Sequence, residues 1–231
     1  MARQVCFYVL IIVVASIGLQ PVSADNQLDP SPRWVSYNSW AVSQGIMVYY
    51  AYYGEAPDSL ETLINQDWVP SNLTNHITGE RIVSDCAETA FGGWSVIRYG
   101  ESEVEILFNS QGELISMPWN YEQFAVNDTG IDIVSAKSRL YMIWALMCLK
   151  AFHNETGRVP ESIHEIASSM FWPFENTKNL YSGDPMKFNS HEVGDMLWEF
   201  SDGKVTIRLW KIPEGNSESS FGFLQYPLSG I

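Results

Sequence analysis

The chain has 231 residues, enough for one large domain or two of about 100, and its 27 Asp and Glu against 13 Lys and Arg give a net charge of −14. That balance repels the phosphates of nucleic acids and of anionic membrane surfaces, so no nucleic-acid partner is expected. A composition of 46% hydrophobic, 13% aromatic and 17% charged residues excludes a disordered chain and provides for packed cores.

The first 24 residues read as a signal peptide: Arg3, an apolar run from Val5 to Leu19, then Val22 and Ala24 as small residues before a cleavage site after Ala24. A retained anchor is the alternative, but a run of about 15 apolar residues ending at Pro21 is shorter than the roughly 20 that span hydrocarbon. Cleavage removes Arg3 and no acidic residue, leaving 12 basic residues and a charge of −15. The expected location is therefore the periplasm, cell surface or extracellular space, with no stable membrane span once the leader is gone.

Residues 25–33 are polar with two prolines and read as a flexible lead-in. From Trp34 to Tyr53, apolar residues recur at spacings of three, four and seven, which predicts a helix ending at Gly54. Gly45 weakens that helix by about 1 kcal/mol unless a neighbour packs closely on it. Pro57, Asp58, Ser59 and Glu61 then have the grammar of a short helix start, with Leu60, Leu63 and Ile64 as its buried side. After a turn-rich stretch, Trp94–Tyr99 and Val104–Phe108 alternate as strands, and Gln111-Gly112-Glu113 turns the chain again.

Residues 120–130 read as a linker, and the pattern then starts over between 131 and 212. A helix carries Leu140, Tyr141, Trp144, Met147 and Cys148. Ser162 and Glu165 form a second candidate capping box, and Met196–Phe200 and Val205–Trp210 form a hairpin turned at Asp202-Gly203. Residues 213–231, rich in Gly, Ser and Pro, read as a tail.

The repetition is explicit. Gly54, Pro57, Ser59, Leu63 and Pro70 recur 103 positions later as Gly157, Pro160, Ser162, Ile166 and Pro173, and Gly79 recurs with a drift of one as Gly183, followed by Asp184 and Pro185. The expected fold is α+β: two tandem units, 34–119 and 131–212, each a long and a short helix packed on a small antiparallel sheet. Those same glycines, prolines and serines around the short helix, with Gly183-Asp184-Pro185 before the strands, resemble the globular part of the major pseudopilin of type II secretion systems, within the type IV pilin-like group. The resemblance implies the α+β shape. The Val5–Leu19 run lacks the glutamate of a pilin start, and Asp195 and Asp202 stand apart where the family clusters calcium-binding carboxylates.

Chemistry is sparse. His164-Glu165 begins like a zinc-protease helix, but Ser168 stands where a second histidine is required, and His76, His153 and His191 are scattered. No nucleophile elbow surrounds Ser95 and no glycine loop cradles phosphate, so no cofactor and no metal are expected. Glu101, Glu103 and Glu105 fall at period two, which would place a carboxylate face on one strand. Tyr49, Tyr50, Tyr52 and Tyr53 cannot all lie on one helical stripe, so Tyr49, Tyr50 and Tyr53, with the three glutamates, are candidate contact residues. Cys86 and Cys148 pair only if their Cα atoms come within about 7 Å. Otherwise Cys148 is a buried thiol. Asn72, Asn127 and Asn154 stand in N-glycan acceptor triplets. The composite reading is an exported, non-catalytic module with a protein partner. The alternative is a secreted hydrolase or carbohydrate-binding protein using a carboxylate pair or exposed aromatics.

Overall fold

A computed structural model describes residues 31–120, 132–201, 204–210 and 220–227. The leader at 1–24, most of the lead-in, the linker after Asn120, the Asp202-Gly203 turn and the flanks of the tail lie outside the described residues.

The first lobe consists of α1 (Ser31–Tyr53), α2 (Leu60–Asn65), β1 (Trp94–Arg98), β2 (Glu103–Ser110) and β3 (Glu113–Asn120). The second repeats this order with α3 (Ile133–Thr156), α4 (Ile163–Ala167), β4 (Met196–Ser201), β5 (Lys204–Trp210) and β6 (Ser220–Pro227). Each sheet is an antiparallel meander, β1-β2-β3 and β4-β5-β6. The α+β reading with two helix-and-sheet lobes holds.

Local chemistry accounts for the helix boundaries. α1 starts ahead of the expected Trp34, with Pro32 in the first turn where no N–H is needed. It ends at Gly54, left-handed at φ 76°, whose N–H reaches the Tyr50 carbonyl at 2.8 Å. α3 ends the same way at Gly157, with φ 70° and a 2.8 Å bond to the His153 carbonyl. Ser59 and Ser162 cap α2 and α4 by accepting the N–H groups of Thr62 and Glu165 at 3.1 and 3.2 Å.

Gly45 is where a second segment crosses the helix. A Cβ there would stand 2.5 Å from the Trp68 carbonyl oxygen, so α1 lacks a side chain to let the chain after α2 lie against it.

Between the short helix and the sheet, each lobe uses one asparagine as a clamp. The Asn75 Oδ1 accepts the Ile77 and Thr78 N–H groups at 2.9 and 3.2 Å, and its Nδ2 donates to the Phe91 carbonyl at 2.8 Å. Asn179 does the same with Tyr181, Ser182 and Val193 at 2.9, 3.1 and 2.9 Å. Both side chains are buried, so bonds at both ends of the amide offset their desolvation.

α1 and α3 pack on each other, and one hydrophobic core runs through both lobes, from Ile46, Leu60 and Trp94 to Leu140, Phe174 and Ile207. At the seam Trp34 packs on Phe171 with ring centroids 5.1 Å apart, and Lys137 lies over Trp68 at 4.4 Å. The stretch expected as a tail is corrected at 220–227, where β6 pairs with β5 across a bulge at Leu209/Trp210. No described helix is long and apolar enough to cross a membrane.

Candidate functional site

The sheet of the first lobe has two unlike faces, fixed by register. Trp94, Phe108 and Ile115 stand in one row, and Val96, Ile106 and Met117 in the next; both rows belong to the side that meets the core. Residues between them point the other way: Ser95 beside Leu107 and Ser116, Ile97 beside Glu105 and Pro118, and Asn109 beside Leu114.

Two of the three predicted glutamates lie on that outer face. Glu105 accepts hydrogen bonds from the Ser116 and Tyr99 hydroxyls, and Glu103 accepts one from the Asn120 amide at 3.0 Å. Glu101 does not join them. It precedes β2 in the turn, because the strand begins only at Glu103. The hydroxyl of Ser116 first, and that of Tyr99 second, hold the Glu105 carboxyl below its ordinary range. A general acid needs the opposite shift, so Glu105 is suited to remain an anion and an acceptor.

Above this face lies the loop 85–91. Asp85 anchors it: one carboxylate takes the Leu60 and Glu61 N–H groups at the start of α2, at 3.1 and 3.3 Å, and the Val96 N–H of β1 at 2.7 Å. In the second lobe the Phe188 carbonyl fills the corresponding place, accepting the Trp198 N–H at 3.2 Å. Ala87 is locked underneath, its N–H donating to the Ser95 hydroxyl at 2.9 Å and its carbonyl accepting the Asn109 amide at 2.7 Å. Between loop and sheet is an open cavity of about 250 Å³, bordered by Asp85, Glu88, Thr89, Ser95, Ile97 and Leu107.

Cys86 also borders this cavity and is half-buried, whereas Cys148 is buried in α3. Both are free thiols, so the considered disulfide does not form. Burial pushes the Cys148 thiol well above its ordinary range, which keeps it protonated.

The tyrosine cluster divides. Tyr53 is 45% exposed and donates to the Gln66 side chain at 3.0 Å, and Tyr50 is half-buried. Tyr49 is corrected from a contact residue to a core residue: it is 7% exposed, with its ring 4.4 Å from Tyr53 and 5.7 Å from Trp68. Asn72 sits at the seam between the lobes, accepting the Tyr37 hydroxyl at 3.0 Å and donating to the Met170 carbonyl at 3.4 Å. Asn154 is exposed, and Asn127 lies outside the described residues. Among the described residues no group of three or more His, Cys, Asp and Glu could hold a metal.

The two lobes differ in surface more than in plan. Residues 34–119 carry 11 Asp and Glu against 2 Lys and Arg, whereas residues 131–212 carry 10 against 9. Among the described residues, exposed large apolar side chains are also more numerous in the first lobe, with Phe91 at 60%, Tyr99 at 65% and Leu114 at 46%.

Sequence reasoning missed Asp85, Lys137 and the paired asparagines. The spacing of Asn75 to Gly79, repeated from Asn179 to Gly183, was a usable signal for the last. No protein-family model, curated protein or solved structure matches the chain.

Proposed function

We propose that the chain is an exported, non-catalytic interaction module, pseudopilin-like in shape, that binds a protein partner in the cell envelope or extracellular space. The observation that carries this reading is the coincidence of acidic charge and exposed apolar surface on one lobe. Monomeric surfaces usually scatter their exposed apolar residues, and a patch with polar neighbours marks a contact site. The pilin-like likeness draws support from the Gly-x-x-Pro-x-Ser starts of both short helices. Export draws support from the leader pattern at 1–24. The carboxylate-pair alternative is weakened by the downward shift of Glu105 and the placement of Glu101 off the strand.

The test is cross-linking in the native source followed by mass spectrometry of the recovered chain. The expected result is a chain beginning at Asp25, cross-linked to a second protein through residues of the first lobe. A chain that keeps Met1 to Ala24, or cross-links confined to the second lobe, would defeat the reading.

A further inference from the structure

Among the described residues, the outer face of the first sheet is open beyond the loop 85–91, with Leu114, Ser116 and Pro118 exposed, and its chemistry defines its occupant. Its floor is apolar where Leu107 and Ile97 meet the cavity, and Leu114 and Pro118 continue it towards the sheet edge. Its carboxylates are Asp85 and Glu88 beside the cavity and Glu103 and Glu105 on the central strand β2, with Glu105 between Ile97 and Pro118. A volume of about 250 Å³ is below the ~300 to 1,000 Å³ of a typical small-molecule pocket. It suits one long side chain. Lysine and arginine have the matching form, an aliphatic stem for an apolar floor and a cationic head for a carboxylate rim.

Comparison of the lobes assigns this device to one of them. Twelve residues separate Gly79 from Gly92, but ten separate Gly183 from Gly194, so the loop forming the cavity is longer in the first lobe. At the second lobe's equivalent of Gly93 stands Asp195, whose buried side chain accepts the Lys187 N–H at 3.2 Å and the Asn179 amide at 2.9 Å. A Cβ on Gly93 would lie 2.3 Å from the Cys86 carbonyl oxygen, so a side chain there and the longer loop exclude each other. The loop, the cavity and the charge excess therefore occur together.

Resting on the interaction-module reading, we propose that the first lobe docks an extended lysine- or arginine-rich segment of its partner protein across the outer face of its sheet, one basic side chain entering the cavity under the 85–91 loop. The 11-to-2 charge excess of this lobe steers the segment, and the apolar floor gives it a seat.

The probe is an acetylated nonapeptide alternating lysine and serine, titrated into the full chain at low salt by calorimetry, with the glutamine-for-lysine peptide as control. The lysine peptide is expected to bind at least about tenfold more tightly than the glutamine peptide. The double variant Glu88→Gln, Glu103→Gln is expected to weaken it about tenfold, while Glu161→Gln, Glu175→Gln in the second lobe leaves it unchanged. Methyl resonances of Ile97 and Leu107 should shift on binding. Equal loss from both double variants, or equal binding of both peptides, would mean diffuse attraction or none and would overturn the proposal. If a native partner cross-links to the first lobe and the lysine peptide, added beforehand in excess, does not prevent it, the interaction module stands and the basic segment falls.

Discussion

Lys137 of α3 reaches across the seam to the first lobe, lies over the Trp68 ring at 4.4 Å, and donates to the carbonyls of Gln66 and Asp67 at the end of α2. The ring face and the open carbonyls at a helix C-terminus all favour a cation there. Burial opposes them, and pushes the ammonium down from its ordinary 10.5 to about 8.

This shift makes a pH prediction. Below about pH 8 Lys137 is charged both folded and unfolded, and the folded chain bears the desolvation. From there to 10.5 the unfolded chain holds more protons, so the contribution of Lys137 to stability rises with pH. Lys137→Met keeps an apolar stem on Trp68 and should abolish that rise, a difference on the order of 2 kcal/mol between urea titrations at neutral and alkaline pH. The same slope in both proteins would mean that Lys137 is not its source.

Asp85 holds three backbone N–H groups from two elements, so its loss should reach α2 and β1 together. Asp85→Ala is expected to lower stability by about 2 to 3 kcal/mol, against about 1 kcal/mol for the helix cap variant Ser59→Ala. Chemical denaturation compares them directly. An Asp85→Ala cost no greater than that of Ser59→Ala would show that water replaces the carboxylate without penalty.

Gly92 and Gly54 separate two effects of adding a methyl group. Both have positive φ, 74° and 76°, but a Cβ on Gly92 would lie 2.4 Å from Asn75 Oδ1 while one on Gly54 meets nothing within 4 Å. Gly54→Ala should cost about 1 kcal/mol from backbone strain alone. Gly92→Ala should exceed it by about 2 kcal/mol by displacing the clamp. Thermal melts showing the two variants alike would remove Asn75 from the account.

The cysteines should differ in reactivity. In the native chain iodoacetamide is expected to label Cys86 and spare Cys148, whose thiol is buried and held protonated. Peptide mapping reads the sites. Labelling of both at similar rates would place Cys148 in an opening region of α3.

What was legible in the sequence was local. Glycine at a helix end, serine at a helix start and an alternating strand each act within a few residues, so α1 to α4 and the hairpins β1-β2 and β4-β5 could be read from spacing. β6 was overlooked because the Gly, Ser and Pro of 213–231 as a whole hid its own strand-favouring Phe221, Phe223 and Tyr226, and its pairing depends on the edge that β5 offers it. Tyr49 was misplaced for a similar reason: its burial depends on Trp68, brought back over α1 by the close approach at Gly45. Glu101 fitted the strand period but lay beyond the strand's first residue. The cavity on the outer face was invisible because it depends on how the longer loop 85–91 folds back over β1 and β2, where Gly93 leaves room for it.

The doubled contact at the seam has a further meaning. Trp34 and Lys137 are 103 positions apart, as are Trp68 and Phe171, so Trp34 on Phe171 and Lys137 on Trp68 are one contact made in both directions. Reciprocity of that kind defines a two-fold interface between identical subunits. The chain is thus arranged as a homodimer tied into one polypeptide, and the tie frees each half from having to match the other. A change on one lobe's outer face is no longer copied to its partner, and this allows an acidic, loop-bearing face to stand beside a nearly neutral one.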